Sequence, residues 1–343
     1  MVDESSIVKA IRQGNIIEPS LSGYKCVQID GYPPIKLIPG GYCLIFPLEC
    51  PGKPSKCLRL WYGNNGRPDN PTHIKTVSDF FNSYTVEYVI PYKYVDRALR
   101  LADGTEIPGV VMEWIEGDTL VGYVRKNYKE KAVIKKLAAN FYKMAEYHKK
   151  YGMAHGDLSD ENILVKPNGN LFLIDYDSFY QWKWDKKIQQ PTVGVGWYQH
   201  PERMKGESSN LNEYMDHFSQ QVIYLSLLAI AEAPSLFDAE TEKGLLFKEK
   251  DFADLSSFKA SPMYKKISAI RNPEVQGRLV ELGNAIRGPL LKVRSIVDYV
   301  QPAVTVWPEK VPHCGLCGHE FENETDRFCP MCGTERERII YVY

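Results

Sequence analysis

The spacing of apolar and polar positions changes twice along the chain. Residues 4–13 put Ile7 and Ile11 on one face of a short amphipathic helix, which Gly14 ends. From Tyr24 the pattern is that of strands. Tyr24–Ile29, Ile35–Ile38, Tyr42–Leu48 and Cys57–Tyr62 are rich in β-branched and aromatic residues, and Gly and Pro turns such as Gly31-Tyr-Pro-Pro and Pro39-Gly40-Gly41 separate them. One helical segment, about Ile74–Tyr84, comes before further strands near Tyr88–Val95 and Val110–Trp114.

Past Gly117 the period becomes helical. Ala132–Tyr151 carries Leu137, Ala138, Phe141, Tyr142, Met144, Ala145 and His148 at helical spacing. Ile163–Val165 and Leu171–Ile174 then form a short strand pair turned at Asn168-Gly169. Helices dominate from Glu213 to Val300, and the apolar run Val222–Ala231 predicts a buried central helix. Pro302, Pro308 and Pro312 mark a stiff linker. Strands followed by helices make an α+β chain of two lobes, with the cleft between them as the place for a ligand. The expected boundaries are a helical extension at 1–23, a first lobe at 24–115, a helical lobe at 116–300, the linker at 301–312 and a cysteine-bearing module at 313–338.

Composition narrows the function classes. The chain has 343 residues, of which 44% are hydrophobic and 25% charged, which are ordinary globular values. Its 42 basic residues nearly balance 43 acidic ones, a formal net charge of −1. That balance excludes affinity for nucleic acid or an anionic membrane through a globally basic field. The run Val222–Ala231 is far short of the roughly 20 residues a spanning helix needs. Met-Val-Asp-Glu-Ser-Ser at the start has no basic and apolar leader pattern, so the expectation is a cytoplasmic protein without a membrane segment.

The densest chemistry lies in His155-Gly-Asp157-Leu-Ser-Asp-Glu-Asn162, followed by Leu173-Ile-Asp175-Tyr-Asp177. Hard cations such as Mg²⁺ take oxygen ligands from one or two protein groups and share substrate phosphates. Phosphoryl transfer asks the protein mainly for metal-neutralised charge and one group that orients the attacking hydroxyl. Asp157 as base, with Asn162 and Asp175 as metal ligands, meets that demand.

These segments resemble the protein-kinase-like superfamily. His155-Gly-Asp157-Leu with Asn162 is similar to the kinase catalytic loop, Asp175-Tyr-Asp177 stands where Asp-Phe-Gly would, and His200-Pro-Glu202 stands where Ala-Pro-Glu would. Asp216 matches the aspartate that holds the catalytic loop from beneath, so His155, Glu202 and Asp216 take structural roles. The resemblance implies a bilobal fold that uses ATP and Mg²⁺. It also implies a hinge at Val111–Gly117, with Met112 behind the adenine and backbone groups of Glu113 and Ile115 on the base. Arg59 takes the phosphate-binding lysine position, and Gly40 and Gly41 are a remnant of the glycine-rich loop.

Besides Arg59, the sequence departs from the family in several places. Gly156 replaces the arginine before the catalytic aspartate, Ser159 replaces the lysine two residues after it, and Val195 replaces a threonine. The helix after the third strand offers Asp79 rather than a glutamate, which suggests an Arg59–Asp79 ion pair. A protein Ser/Thr kinase leads, a pseudokinase scaffold is the alternative, and a small-molecule kinase, which His-Gly-Asp would favour, comes third. Bacterial proteins of this appearance are sometimes grouped with a metal-dependent phosphatase and a von Willebrand A-type domain protein. The resemblance implies these as partners beside a protein substrate.

The cysteines divide into two groups. Cys26, Cys43, Cys50 and Cys57 alternate with apolar residues and read as buried hydrophobes. Cys314-Gly-Leu-Cys317 and Cys329-Pro-Met-Cys332 form two knuckles of the kind that close a tetrahedral Zn²⁺ site, and they resemble a zinc ribbon. From Glu309 to Arg338 seven acidic residues face four basic ones. A surface of that sign suits a docking partner that is a protein, not a nucleic acid.

Overall fold

The first helix, α1 (Glu4–Arg12), starts where Asp3 accepts the Ser6 N–H at 2.8 Å, and it buries Ile7, Ala10 and Ile11. Those side chains meet one face of an antiparallel sheet made of β1 (Lys25–Cys26), β2 (Ile38–Pro39), β3 (Cys43–Glu49), β4 (Lys56–Trp61), β5 (Tyr92–Arg100) and β6 (Glu106–Glu113). The spatial order is β1-β3-β4-β6-β5, with β2 on β3. The structure is a computed structural model that describes residues 2–28, 38–39, 43–90, 92–184, 188, 194–206, 210–240 and 243–299. Past 300 it describes 309–310, 317, 319–320, 328–329, 331–332 and 338–339. Gly40, Gly41, Cys314 and most of the proline-rich linker therefore lie outside the described residues. The chain divides into two units, Met1–Tyr299 and Val300–Tyr343.

Strand alternation gives the sheet two different faces. Leu58 and Leu60 of β4 are fully buried with Leu44, Phe46, Leu48, Ile7 and Ile11 in one core. Cys57, Arg59 and Trp61 point the other way, as the two-residue period requires. Gly109 of β6 lets the strands pack this closely, because a Cβ there would stand 2.7 Å from Ala98 Cβ. Helix α2 (Pro71–Ser83), capped by Asn70 with Pro71 in its first turn, closes the lobe over Tyr92.

The second lobe is helical. It contains α3 (Leu120–Asn127), α4 (Lys131–Tyr151), α5 (Pro201–Met204), α6 (His217–Glu232), α7 (Leu255–Ala260), α8 (Pro262–Ser268) and α9 (Pro273–Arg287). Helix α6 is buried nearly all round, which is what its apolar run requires, and it packs on α4 and α9. Short strands pack with α3 and α4 and with one another: β7 (Asp118–Thr119), β8 (Met153–Ala154), β9 (Ile163–Val165), β10 (Leu171–Leu173) and β11 (Tyr180–Gln181). The β9–β10 hairpin turns at Gly169, in the left-handed region with φ 87°, as the Asn-Gly pair predicts. In the second unit, β12 (Glu309–Lys310) pairs with β13 (Arg338–Ile339).

One strand starts later than its sequence pattern suggests. Tyr88–Ile90 is not part of β5. Val89 bridges Leu173, Tyr88 O accepts the Leu173 N–H at 2.7 Å, and the Ile90 N–H goes to the Tyr176 hydroxyl. Those three residues tie the sheet lobe to the helical lobe, and β5 begins only at Tyr92. Among the described residues, no helix is long and apolar enough to cross a membrane.

Candidate active site

The loop after β8 is held from below by a single carboxylate. Asp216, just before α6, accepts the His155 N–H at 2.5 Å and the Gly156 N–H at 2.9 Å, and His155 Nε2 lies 2.8 Å from the Ile174 carbonyl. Gly156 has φ +79°, and a Cβ there would stand 2.3 Å from the Ser178 carbonyl, so this position admits only glycine. The departure at Gly156 thus follows from the path of the backbone.

Two residues on, Asp157 points at Asn162, whose Nδ2 donates to the Asp157 carbonyl at 2.8 Å and to its Oδ2 at 3.3 Å. Both of these bonds use Asn162 Nδ2 and neither uses Oδ1. Asp157 Oδ1 is out of solvent and has no hydrogen-bond partner among the described residues. Burial pushes the Asp157 carboxyl above the usual carboxylate range, with Asp175 and Asp216 adding to the rise and His155 and Arg203 opposing it.

Asp175 follows β10 in the left-handed conformation, φ 65°, a region open to Asp more than to bulkier residues. Its Oδ1 accepts Arg59 Nη1 at 2.9 Å. Arg59 also holds Asp177 through two parallel bonds, Nη1 to Oδ1 at 2.8 Å and Nη2 to Oδ2 at 2.7 Å. Exposure falls from 48% at Asp175 to 31% at Asp177 and 11% at Arg59, so the cation is the innermost member. Burial works against the charged guanidinium, yet Asp175 and Asp177 hold its pKa above that of an ordinary arginine. Arg59 therefore faces the cleft, but the expected Arg59–Asp79 pair is not formed. Asp79 lies on the exposed side of α2, whose buried residues are His73, Ile74, Val77, Ser78 and Phe81.

The structure brings Asp157, Asn162, Asp175 and Arg59 together where the two lobes meet. Met112 is half-buried against the core that residues of both lobes share. The Glu113 side chain is exposed at the end of β6, and Ile115 lies in the connection to β7. His200 caps α5, and Glu202 Oε2 accepts the Leu290 N–H at 2.8 Å. The sequence reading missed three participants. Arg203 is 1% exposed and donates to the Gly156 carbonyl at 2.9 Å, and burial lowers its pKa to about 10 against Asp216 and Asp157. Gly194, φ +81°, lies so close to Asp157 Oδ1 that a Cβ would stand 2.2 Å from it. Asp177 is the third, and its only sequence signal is the second carboxylate of Asp-Tyr-Asp.

A family model described as protein kinase domain matches residues 81–273, more than half of the chain. The chain belongs to the protein kinase domain family. The matched range includes the catalytic-loop segment, Asp175, Glu202 and Asp216, and it starts after Arg59. A HAL5-like probable serine/threonine-protein kinase of Vanderwaltozyma polyspora is 25% identical over 239 residues, which is 60% of this chain and 31% of that protein. The serine/threonine-protein kinase HAL5 of Saccharomyces cerevisiae is 32% identical over 104 residues, 27% of this chain and 12% of its own. A probable serine/threonine-protein kinase of Streptomyces coelicolor is 24% identical over 193 residues, 49% and 27% of the two chains. The kinase domain chain thus spans about a third or less of the length of these curated relatives.

In the second unit, the sulfurs of Cys317, Cys329 and Cys332 all lie within 4.8 Å of one another. Three thiols this close suit a soft or borderline metal ion.

Proposed function

We propose that this kinase domain transfers the γ-phosphoryl group of ATP to a serine or threonine hydroxyl of a protein. The observation that carries the reading is the convergence of Asp157, Asn162 and Asp175 with the Arg59 cation in one cleft. Asp157 receives the hydroxyl proton as the acceptor oxygen bonds to the γ-phosphorus. The bond from that phosphorus to the bridging oxygen breaks, and ADP leaves with its electron pair. Asn162 Oδ1 and the Asp175 carboxylate are hard oxygen donors that fit Mg²⁺, which when bound neutralises phosphate charge. Arg59 faces the phosphates, and Met112, Glu113 and Ile115 border the adenine. Cys314 joins Cys317, Cys329 and Cys332 in a structural zinc site.

Phosphate transfer from radiolabelled ATP to dephosphorylated casein tests this reading. Asp157→Ala should lower the rate about a hundredfold or more, the range for loss of a general base. Equal rates in variant and wild type would refute it. One observation favours a nucleotide-binding scaffold as the second reading, because Asp157 Oδ1 is out of solvent and has no hydrogen-bond partner among the described residues. The scaffold predicts Mg²⁺–ATP binding with no transfer by wild type. For the ribbon, metal analysis should give about one zinc per chain. Cys314→Ser with Cys329→Ser should abolish it, and iron in its place would overturn the assignment.

A further inference from the structure

Helix α2 provides no carboxylate for the cation of the cleft. Its buried side is His73, Ile74, Val77, Ser78 and Phe81, and the Ser78 hydroxyl is already engaged by the Tyr92 carbonyl and the Tyr94 N–H. Asp79 faces solvent. The acidic partners come instead from three consecutive residues after β10. Asp175 and Asp177 both turn to Arg59, and Tyr176 between them turns the other way. The Tyr176 ring stacks on Tyr92 with centroids 5.6 Å apart and meets Phe81 edge-on at 4.9 Å. Its hydroxyl accepts the Ile90 N–H at 2.7 Å and donates to the Leu173 carbonyl. The triplet is anchored by its middle residue and presents its outer two.

We propose that Asp177 is the positioning residue of the nucleotide site. Its carboxylate, and no acidic group of α2, holds Arg59 toward the phosphates. The proposal rests on reading the cleft as an ATP site.

The donor arithmetic of Arg59 supports a division of labour. A guanidinium has five N–H donors. Nε donates to Cys43 Sγ at 3.2 Å, the two Nη1 hydrogens go to Asp175 and Asp177, and one Nη2 hydrogen goes to Asp177. One Nη2 hydrogen lies outside these bonds. If Asp175 turns to a cation, the Nη1 hydrogen it holds is released too. Asp177 then keeps its two parallel bonds, and one hydrogen from each terminal nitrogen is available for phosphate oxygens. The metal carboxylate and the cation's anchor thus belong to one short segment. The grip on phosphate depends on that segment and not on how α2 is set.

Calorimetric titration of the full chain with Mg²⁺–ATP tests this directly. Asp177→Asn should weaken binding by about tenfold or more, the equivalent of one charged hydrogen bond. Asp79→Ala, on the exposed side of α2, should stay within about twofold. In an Arg59→Ala background, Asp177→Asn should add less than about twofold, because its effect passes through Arg59, whereas a merely structural role would add in full. Wild-type affinity in Asp177→Asn would overturn the proposal. So would a tenfold loss in Asp79→Ala, a variant whose folding is not at stake. If wild type itself gives no heat with Mg²⁺–ATP, the ATP-site reading fails and takes the proposal with it.

Discussion

The two ends of the cleft are built on opposite plans. The catalytic-loop end is assembled within one lobe, where Asp216, His155, Gly156 and Arg203 hold one another through buried hydrogen bonds to backbone groups. At the phosphate end, a strand of one lobe meets a loop of the other through the ion pairs of Arg59 with Asp175 and Asp177. Backbone hydrogen bonds out of water fix a conformation and are costly to lose. The Asp175 and Asp177 carboxylates are 48% and 31% exposed, and ion pairs whose carboxylates solvent reaches contribute less to stability and exchange partners more readily. Substitutions at the first end should therefore cost folding free energy, while those at the second should cost ligand affinity.

The largest effect tests the buried end. Asp216→Ala leaves two buried N–H groups, on His155 and Gly156, without an acceptor. Urea unfolding should show a loss of about 3–5 kcal/mol, the range for breaking a buried charged network. A loss below about 1 kcal/mol would mean that this end is no more rigid than the other.

His148 lies beneath the same network, 1% exposed, with both ring nitrogens unpartnered among the described residues. Burial lowers its pKa from 6.5 to about 4, with Asp216 opposing the shift and His155 adding to it. Between those values the unfolded chain takes up a proton that the folded chain refuses. Stability should thus be unaffected by this group above pH 6.5 and should fall as the pH drops toward about 4, by about 3 kcal/mol at full effect. Melting temperatures across that window should decline in wild type and flatten in His148→Gln. An equally steep decline in the variant would assign the acid sensitivity to other groups.

The same contrast explains what was legible in the sequence. The apolar run of α6, the Asn168-Gly169 hairpin and the order of Asp157, Asn162 and Asp216 are local patterns, and each reappears as an element or a contact of the helical lobe. The phosphate end depends on long-range pairing. Arg59 and Asp177 are 118 residues apart, and nothing near Arg59 says which carboxylate it meets. Alternation showed that Leu58 and Leu60 oppose Arg59, but not which face is wet. Arg203, beside Glu202, carries no local signal of its bond to the Gly156 carbonyl, 47 residues away. Gly156 reads as a lost arginine until the Ser178 carbonyl shows that no Cβ fits.

The smallest effects belong to Arg59, and there the comparison is sharpest. Arg59→Ala should weaken Mg²⁺–ATP binding by about 1.5–3 kcal/mol, the range for hydrogen bonds to a charged group. Arg59→Lys keeps the charge at neutral pH but offers a point ammonium with three donors in place of a planar fork. An ammonium lacks the fork that bonds both Asp177 oxygens in parallel, nor does it reproduce the Nε bond to Cys43. Its remaining donors must be divided between Asp177 and phosphate. Lysine should therefore recover part of the loss and leave a deficit of about 0.5–1.5 kcal/mol, less than the alanine variant shows. Calorimetry on both variants reads this directly. If lysine binds nucleotide as well as arginine, charge alone serves this end of the cleft and the fork has no role. If alanine binds as well as either, the contact to phosphate comes from elsewhere, and the pairs around Arg59 only join the two lobes.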